Sequence, residues 1–156
     1  MRLRTLLRTA APVAATAVLG AAGTKPDSAW YRSLAKPTWQ PPAAAFAPVW
    51  TSIYALTAVA AARTLDRLDA PGRRRYAGLL GANLALNTGF SWAFFTAERP
   101  RLALADQLAL EATTLALVRR SASVDRAAAA MLAPYALWNA FAIALNADIV
   151  RRNPGA

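Results

Sequence analysis

The feature that most constrains this chain is its alternation of apolar stretches, 15 to 24 residues long, with short clusters of charge. About 20 helical residues cross a hydrocarbon core of roughly 30 Å, because each residue rises 1.5 Å. Five stretches have this character: about 9–23, 46–65, 76–97, 102–118 and 127–150. Spans one and four are the shortest, and flanking or snorkelling arginines complete their crossing. The predicted architecture is an all-α membrane protein, a five-transmembrane-helix bundle formed by residues 1–156 as a single domain. A segment at 24–45 is the one long loop. It holds Pro26, Pro37, Pro41 and Pro42, and the Pro41–Pro42 pair cannot continue a helix. Arg2, Arg4 and Arg8 ahead of an Ala-rich run also fit a secretory signal peptide. Four further spans favour a retained first helix.

Charge sharpens this. The chain is 56% hydrophobic, yet its formal net charge is +10. Nucleic-acid binders and membrane proteins both combine such values, but a nucleic-acid binder gathers its basic groups on one patch. Here they sit between apolar stretches, so nucleic acid is excluded as a partner and membrane lipid is expected. Eleven basic residues lie in the N-terminal tail and the two–three and four–five links, against seven in the long loop, beside Pro100 and at the C-terminus. The positive-inside rule then places the N-terminus in the cytoplasm, and the long loop and C-terminus outside.

The sequence has no Cys and no His. Thiolate and histidine metal sites, His or Cys haem ligation and a Ser-His-Asp triad are therefore excluded. No phosphate-binding glycine loop is present. No metal, no required cofactor and no catalytic residue are expected.

The polar and aromatic residues are unevenly placed. Trp30, Tyr31, Trp39, Phe46, Trp50 and Tyr54 fall in the long loop and early second span. One reading is an interfacial aromatic belt. The other is a lid over a pocket, because Trp30 and Trp39 lie in a proline-stiffened loop rather than at a span end. Asn83 and Asn87 share one face of the third span, and an unpaired amide in hydrocarbon is costly, so this face turns toward other helices. It either makes interhelical hydrogen bonds or anchors a ligand. Phe90, Trp92, Phe94 and Phe95 make that span's end aromatic. In the fifth span Tyr135, Trp138, Asn139, Ala142 and Leu145 fall on overlapping faces, and Pro134 permits a kink. Asp106 and Glu111 in the fourth span are the costliest groups to bury. They suggest a small proton-coupled transporter as the alternative function.

One pattern is more specific: Trp30-Tyr31-x-x-Leu34-x-Lys36-Pro37-x-Trp39-x-Pro41-Pro42-x-x-x-Phe46-x-Pro48-Val49-Trp50. It continues in Leu86-Asn87, Phe94-Phe95, Arg99-Pro100, Leu102-Ala103-Leu104 and Val124-Asp125-Arg126. It closes with Pro134-Tyr135-x-Leu137-Trp138-x-x-Phe141-Ala142-x-x-Leu145-Asn146. These residues resemble the tryptophan-rich sensory protein or translocator protein family (TspO/MBR, peripheral-type benzodiazepine receptor-like). The resemblance implies a five-helix membrane receptor, commonly a homodimer, in a cell membrane of bacterial type. It implies a cavity that binds porphyrins such as protoporphyrin IX and haem-related tetrapyrroles, in tetrapyrrole or stress regulation. Carried over by position, Trp30, Tyr31, Pro41, Asn87, Phe90, Trp138 and Ala142 fall in that pocket. Trp39, Asn83, Tyr135 and Leu145 join them as candidate ligand-binding residues. Some members degrade porphyrin in light, which would implicate Trp30 and Trp138 and is the only enzymatic activity implied. The chain departs from the family in having Phe90 where Trp is common, Trp92 where Pro is common, Ala44 where an aromatic residue is frequent, and Glu111 where an apolar or aromatic residue is expected. It also lacks the Tyr of the animal members' cholesterol pattern before Arg151.

Overall fold

A computed structural model describes residues 1–155, and these are helical and without strands. The elements are α1 (Leu3–Gly23), α2 (Ala29–Ser33), a 3-10 turn (Ala43–Ala45), α3 (Phe46–Arg67), α4 (Ala70–Ser91), a π-helical turn (Trp92–Thr96), α5 (Pro100–Ala122) and α6 (Arg126–Arg152). α1, α6 and the Ala43–Arg67 run are long and apolar enough to cross a membrane by length and composition. α4 and α5 are of similar length, at 22 and 23 residues. Their apolar character is diluted by Arg73–Arg75, Asn83 and Asn87 in one, and by Asp106, Gln107 and Glu111 in the other.

The helices outrun the apolar stretches. α1 begins at Leu3 rather than near residue 9, and α6 ends at Arg152. Arginine is a good helix former, and its charged head reaches water while its stem lies along the helix. Local chemistry sets the ends. The Asp69 carboxylate accepts from Gly72 N at 2.9 Å and caps α4, with Pro71 in the first turn. The Asp125 carboxylate accepts from Ala127 N at 3.1 Å and Ala128 N at 3.2 Å and caps α6. Both occupy backbone donors that a helix start leaves free. Pro100 opens α5, where its missing N–H costs nothing. Two residues before it, Glu98 adopts φ 57° and reverses the chain. Pro134 lies inside α6 without dividing it.

The long helices pack as a closed ring. α1 lies on α3 and α4, α3 on α6, α6 on α5, and α5 on α4. α1 is thus built into the bundle. Its Thr9 hydroxyl donates to Ala58 O at 2.8 Å. Ala60, Ala61 and Ala62 of α3 are wholly buried. Small residues let helix backbones approach closely, which matters where no hydrophobic effect drives association. Near one end of the bundle Thr64, Ser121 and Tyr76 share hydroxyl hydrogen bonds of 2.9 and 3.0 Å across α3, α5 and α4. Asp125 there also receives Arg63 Nε at 3.0 Å and Arg67 Nη1 at 2.8 Å.

Two features were not expected from sequence. The long loop contains α2, whose start is capped by the Ser28 hydroxyl accepting from Tyr31 N at 3.1 Å. The third span does not stay α-helical to residue 97. It widens into the π turn, with Ala97 N reaching back to Trp92 O at 2.8 Å. Trp92 leaves the bundle there to close the end of α1, its indole Nε1 donating to Leu19 O at 3.0 Å. Gly23 makes room for it: a Cβ there would lie 2.8 Å from the Trp92 ring.

Candidate functional site

Two layers meet at the loop end of the bundle: a set of aromatic rings and, beneath it, a chain of polar side chains. The rings come from four elements. On α3, Phe46, Trp50 and Tyr54 follow at four-residue spacing and share one face. Trp50 stacks on Tyr54 with centroids 5.4 Å apart. On α6, Trp138 stands edge-on to Phe46 at 5.6 Å and to Trp50 at 6.5 Å, and Phe141 lies 5.1 Å from Trp138. Phe90 of α4 stacks on Phe94 of the π turn at 5.7 Å. The loop covers both groups. Trp30 meets the Phe94 ring at 5.5 Å, Tyr31 meets Phe95 at 5.1 Å, and Trp39 meets Phe141 at 5.8 Å. Edge-to-face and offset contacts of this kind are the favoured aromatic geometries. Phe46, Phe141 and Phe90 pack on an apolar cluster containing Leu34, Phe94, Leu145 and Ile149, whereas Trp50 and Trp138 pack on a second one of Ile53, Leu110 and Tyr135.

The polar chain crosses the bundle. Tyr54 Oη donates to Asn87 Oδ1 at 2.8 Å, and Asn87 Nδ2 donates to Tyr135 Oη at 2.9 Å. Tyr135 Oη in turn donates to Asn83 Oδ1 at 3.1 Å. Asn83 Nδ2 donates to Thr113 Oγ1 at 2.9 Å and Thr114 Oγ1 at 2.8 Å, and Asn139 Nδ2 joins at Thr114 Oγ1, 3.1 Å. Side chains of α3, α4, α5 and α6 thus satisfy one another where water is absent, as buried polar groups in a bilayer must. Nearer the loop end, Asn146 Nδ2 donates to Gln107 Oε1 at 3.0 Å. The two spanning carboxylates stand apart from this order. Asp106 is tucked against α4 so closely that a Cβ on Gly89 would lie 3.0 Å from its Oδ1. Asp106 Oδ2 and Glu111 Oε2 are buried without a hydrogen-bond partner.

The residues singled out from sequence fall as follows. Trp30, Tyr31, Phe90 and Trp138 are half-buried in the ring set, and Trp39 is exposed at its edge. The ring contacts of Trp30 and of Trp138 are with different partners, Phe94 for one and Phe46, Trp50 and Phe141 for the other. Asn83, Asn87 and Tyr135 are buried in the polar chain, and both asparagines make the interhelical bonds that their spacing predicts. Leu145 is buried in the cluster under the rings. Pro41 and Ala142 are half-buried. Lys36 places its ammonium 4.5 Å over the Tyr31 ring, a cation–π distance. Sequence reasoning left Trp50, Tyr54 and Phe94 out of the site. The four-residue recurrence of aromatics from Phe46 was the available signal. The hydroxyl pair Thr113–Thr114 was missed, with adjacent threonines in an apolar helix as the clue, and Asn139, named on a face of the fifth span, was left out of the site.

A concavity of about 540 Å³ runs on the outer side of the bundle between α3 and α6. Val49, Ile53, Leu56 and Leu137 line it, and Trp138 reaches it from the ring set.

Comparison with known proteins gives the chain's family. The sequence profile of the TspO/MBR family matches residues 8–152. The "Tryptophan-rich protein TspO" of Chlorobaculum tepidum is 34% identical over 131 residues, 83% of this chain and 83% of its own. The "Tryptophan-rich sensory protein" of Cereibacter sphaeroides is 34% identical over 129 residues, 83% of this chain and 79% of that one. The human "Translocator protein" is 32% identical over 128 residues, 81% of this chain and 76% of its own.

Proposed function

This chain belongs to the TspO/MBR family of membrane proteins, and on that premise we propose that it is a five-span receptor for a porphyrin. The N-terminus faces the cytoplasm and the long loop faces outward, as the basic residues are distributed. The observation that carries the ligand class is the ring set: Trp30, Tyr31, Phe90, Phe94, Trp50 and Trp138 converge at the loop end of the bundle. A tetrapyrrole is flat, wide and apolar on both faces, and aromatic edges and faces suit it. Lys36, poised over Tyr31, supplies a cation for the propionates. The Asn87 and Tyr135 groups under the rings give the site a polar floor. Family membership also supports a homodimer.

With no His and no Cys, the chain lacks the common strong axial ligands for haem iron. Metal-free protoporphyrin IX is therefore expected to bind at least as tightly as haem, as measured by quenching of tryptophan fluorescence in reconstituted protein. Much tighter haem binding would count against ring contacts as the main source of affinity. Trp30→Phe and Trp138→Phe are each expected to raise the Kd about threefold to tenfold, the scale of an aromatic contact. If neither variant changes affinity, the site assignment fails. Any light-dependent loss of the bound porphyrin is expected to fall in the same two variants.

A second reading is proton-coupled transport. The unpartnered oxygens of Asp106 and Glu111 favour it, because such groups in a span commonly mark ion pathways. Glu111→Gln separates the two. Proton-dependent flux in wild-type vesicles that disappears in the variant supports transport, whereas porphyrin affinity is expected to be unchanged.

A further inference from the structure

The long loop touches the bundle through many rings but very few hydrogen bonds. Among the described residues, the hydrogen bonds that residues 25–41 make outside their own segment all go to one side chain, Asn153. The Asn153 amide binds the Ala35 peptide at two points. Ala35 N donates to Asn153 Oδ1 at 2.9 Å, and Asn153 Nδ2 donates to Ala35 O at 3.0 Å. The same Nδ2 also donates to Ile149 O at 2.8 Å, so that both amide hydrogens and the amide oxygen are engaged. The contact joins residues 118 apart in sequence. Asn153 is itself held, because it follows the end of α6 and its neighbour Pro154 O receives Arg101 Nη2 at 2.7 Å.

The position of this clamp gives it a role. Ala35 lies between Leu34, buried in the cluster under the rings, and Lys36, which stands over Tyr31. Trp30 and Tyr31 precede it, and Trp39 follows it. A ligand entering the ring set must displace loop aromatics from Phe94, Phe95 and Phe141. Ring contacts of that kind exchange for ligand contacts at little net cost. The Ala35–Asn153 pair gains no such replacement from the ligand, because a flat apolar ligand offers a peptide group nothing and only water takes its place at this exposed contact. We propose that Asn153 is a positioning residue that fixes the closed place of the long loop over the ligand site and so sets how long a bound ligand stays. This rests on the porphyrin reading for the identity of the ligand, but not for the anchoring of the loop.

Two substitutions at this residue test it in full-length protein reconstituted in nanodiscs. Asn153→Asp keeps the shape and the acceptor but removes both donors and sets a negative charge against Ala35 O and Ile149 O. Asn153→Ser retains a hydroxyl able to serve Ile149 O one turn back, but it is too short to reach Ala35. It therefore isolates loss of the clamp from loss of the helix-end cap. In both, amide exchange across residues 25–42 is expected to accelerate about tenfold, and protoporphyrin IX to dissociate about tenfold faster. Association is expected to accelerate as well, while exchange in α3, α4 and α5 and the melting temperature stay as in wild type. Unchanged loop exchange and unchanged dissociation in both variants would overturn the proposal. So would acceleration spread evenly over the helices with a lowered melting temperature, since that is what a merely structural role produces. If wild type takes up no protoporphyrin IX while loop exchange alone accelerates, the anchoring by Asn153 stands and the porphyrin reading falls.

Discussion

Asn83→Leu is expected to destabilise the protein by about 2 kcal/mol, read from reversible unfolding in mixed micelles. The Asn83 side chain makes hydrogen bonds to three other side chains, Thr113, Thr114 and Tyr135, and a longer one to Leu110 O. Interhelical hydrogen bonds in membrane proteins average about 0.6 kcal/mol each and reach about 1.7. The two threonines keep a partner when the amide goes, because both hydroxyls also donate to Leu110 O at 2.8 Å. Tyr135 does not. Its hydroxyl still accepts from Asn87, but its own proton loses its acceptor in a site only 2% exposed. An orphaned buried donor costs about 1–3 kcal/mol, and removing both members of a pair costs far less than that asymmetry suggests. The double variant Asn83→Leu with Tyr135→Phe is therefore expected to be at least about 1 kcal/mol more stable than the sum of the single losses. Additive losses would mean that the two side chains do not act through their shared hydrogen bond.

Asp125→Ala has the next largest effect. It removes the cap of α6, which is worth about 1 kcal/mol by itself. It also leaves Arg63 and Arg67 without the carboxylate that holds α3 to the α5–α6 turn. Both arginines are partly exposed and regain water, so the ionic loss stays modest. The expected readout is a melting temperature several degrees lower, with Asp125→Asn recovering part of it through its side-chain oxygen. The pH dependence has a definite sign. Hydrogen bonding from Arg63, offset by burial and reinforced by the Ala128 N–H and the charges of both arginines, holds the Asp125 carboxyl below its usual value of 3.8. A group whose pKa is lowered on folding contributes stability above its unfolded pKa and loses it as pH falls through the folded one. The wild type is thus expected to lose this contribution only below about pH 4, and Asp125→Ala to show a flatter stability profile there.

How much of this was legible in advance depended on how far each signal reached. Trp30, Trp39 and the Pro41–Pro42 break announced the loop, and the Asn83–Asn87 spacing announced a face turned toward other helices. Both signals are local: four residues on a helix, or a proline that cannot donate, fix a direction whatever the rest of the chain does. The destinations were not local. Nothing near Asn83 identifies Thr113, Thr114 and Tyr135 as its partners, because those contacts follow from the ring order of the helices. α2 was missed because five residues with a serine cap carry no periodicity. Helix ends were placed too far inward, because apolar content marks the hydrocarbon and arginine carries the helix beyond it. Trp92 was read with the aromatic end of its span, whereas it turns outward to bond Leu19 O.

The π turn at Trp92–Thr96 also changes how this chain must be aligned with its relatives. One surplus residue in a turn rotates everything after it by about 100° relative to an uninterrupted α-helix. A helical wheel drawn through α4 as a single α-helix holds as far as Phe94, which stacks on Phe90 four residues back, and drifts out of register beyond it. A relative without the surplus residue would present its aromatic end in register only if the alignment carries a one-residue gap inside the span. Such gaps are ordinarily confined to loops, so substitutions around Phe90 and Trp92 that look like changes of chemistry need first to be checked as changes of frame.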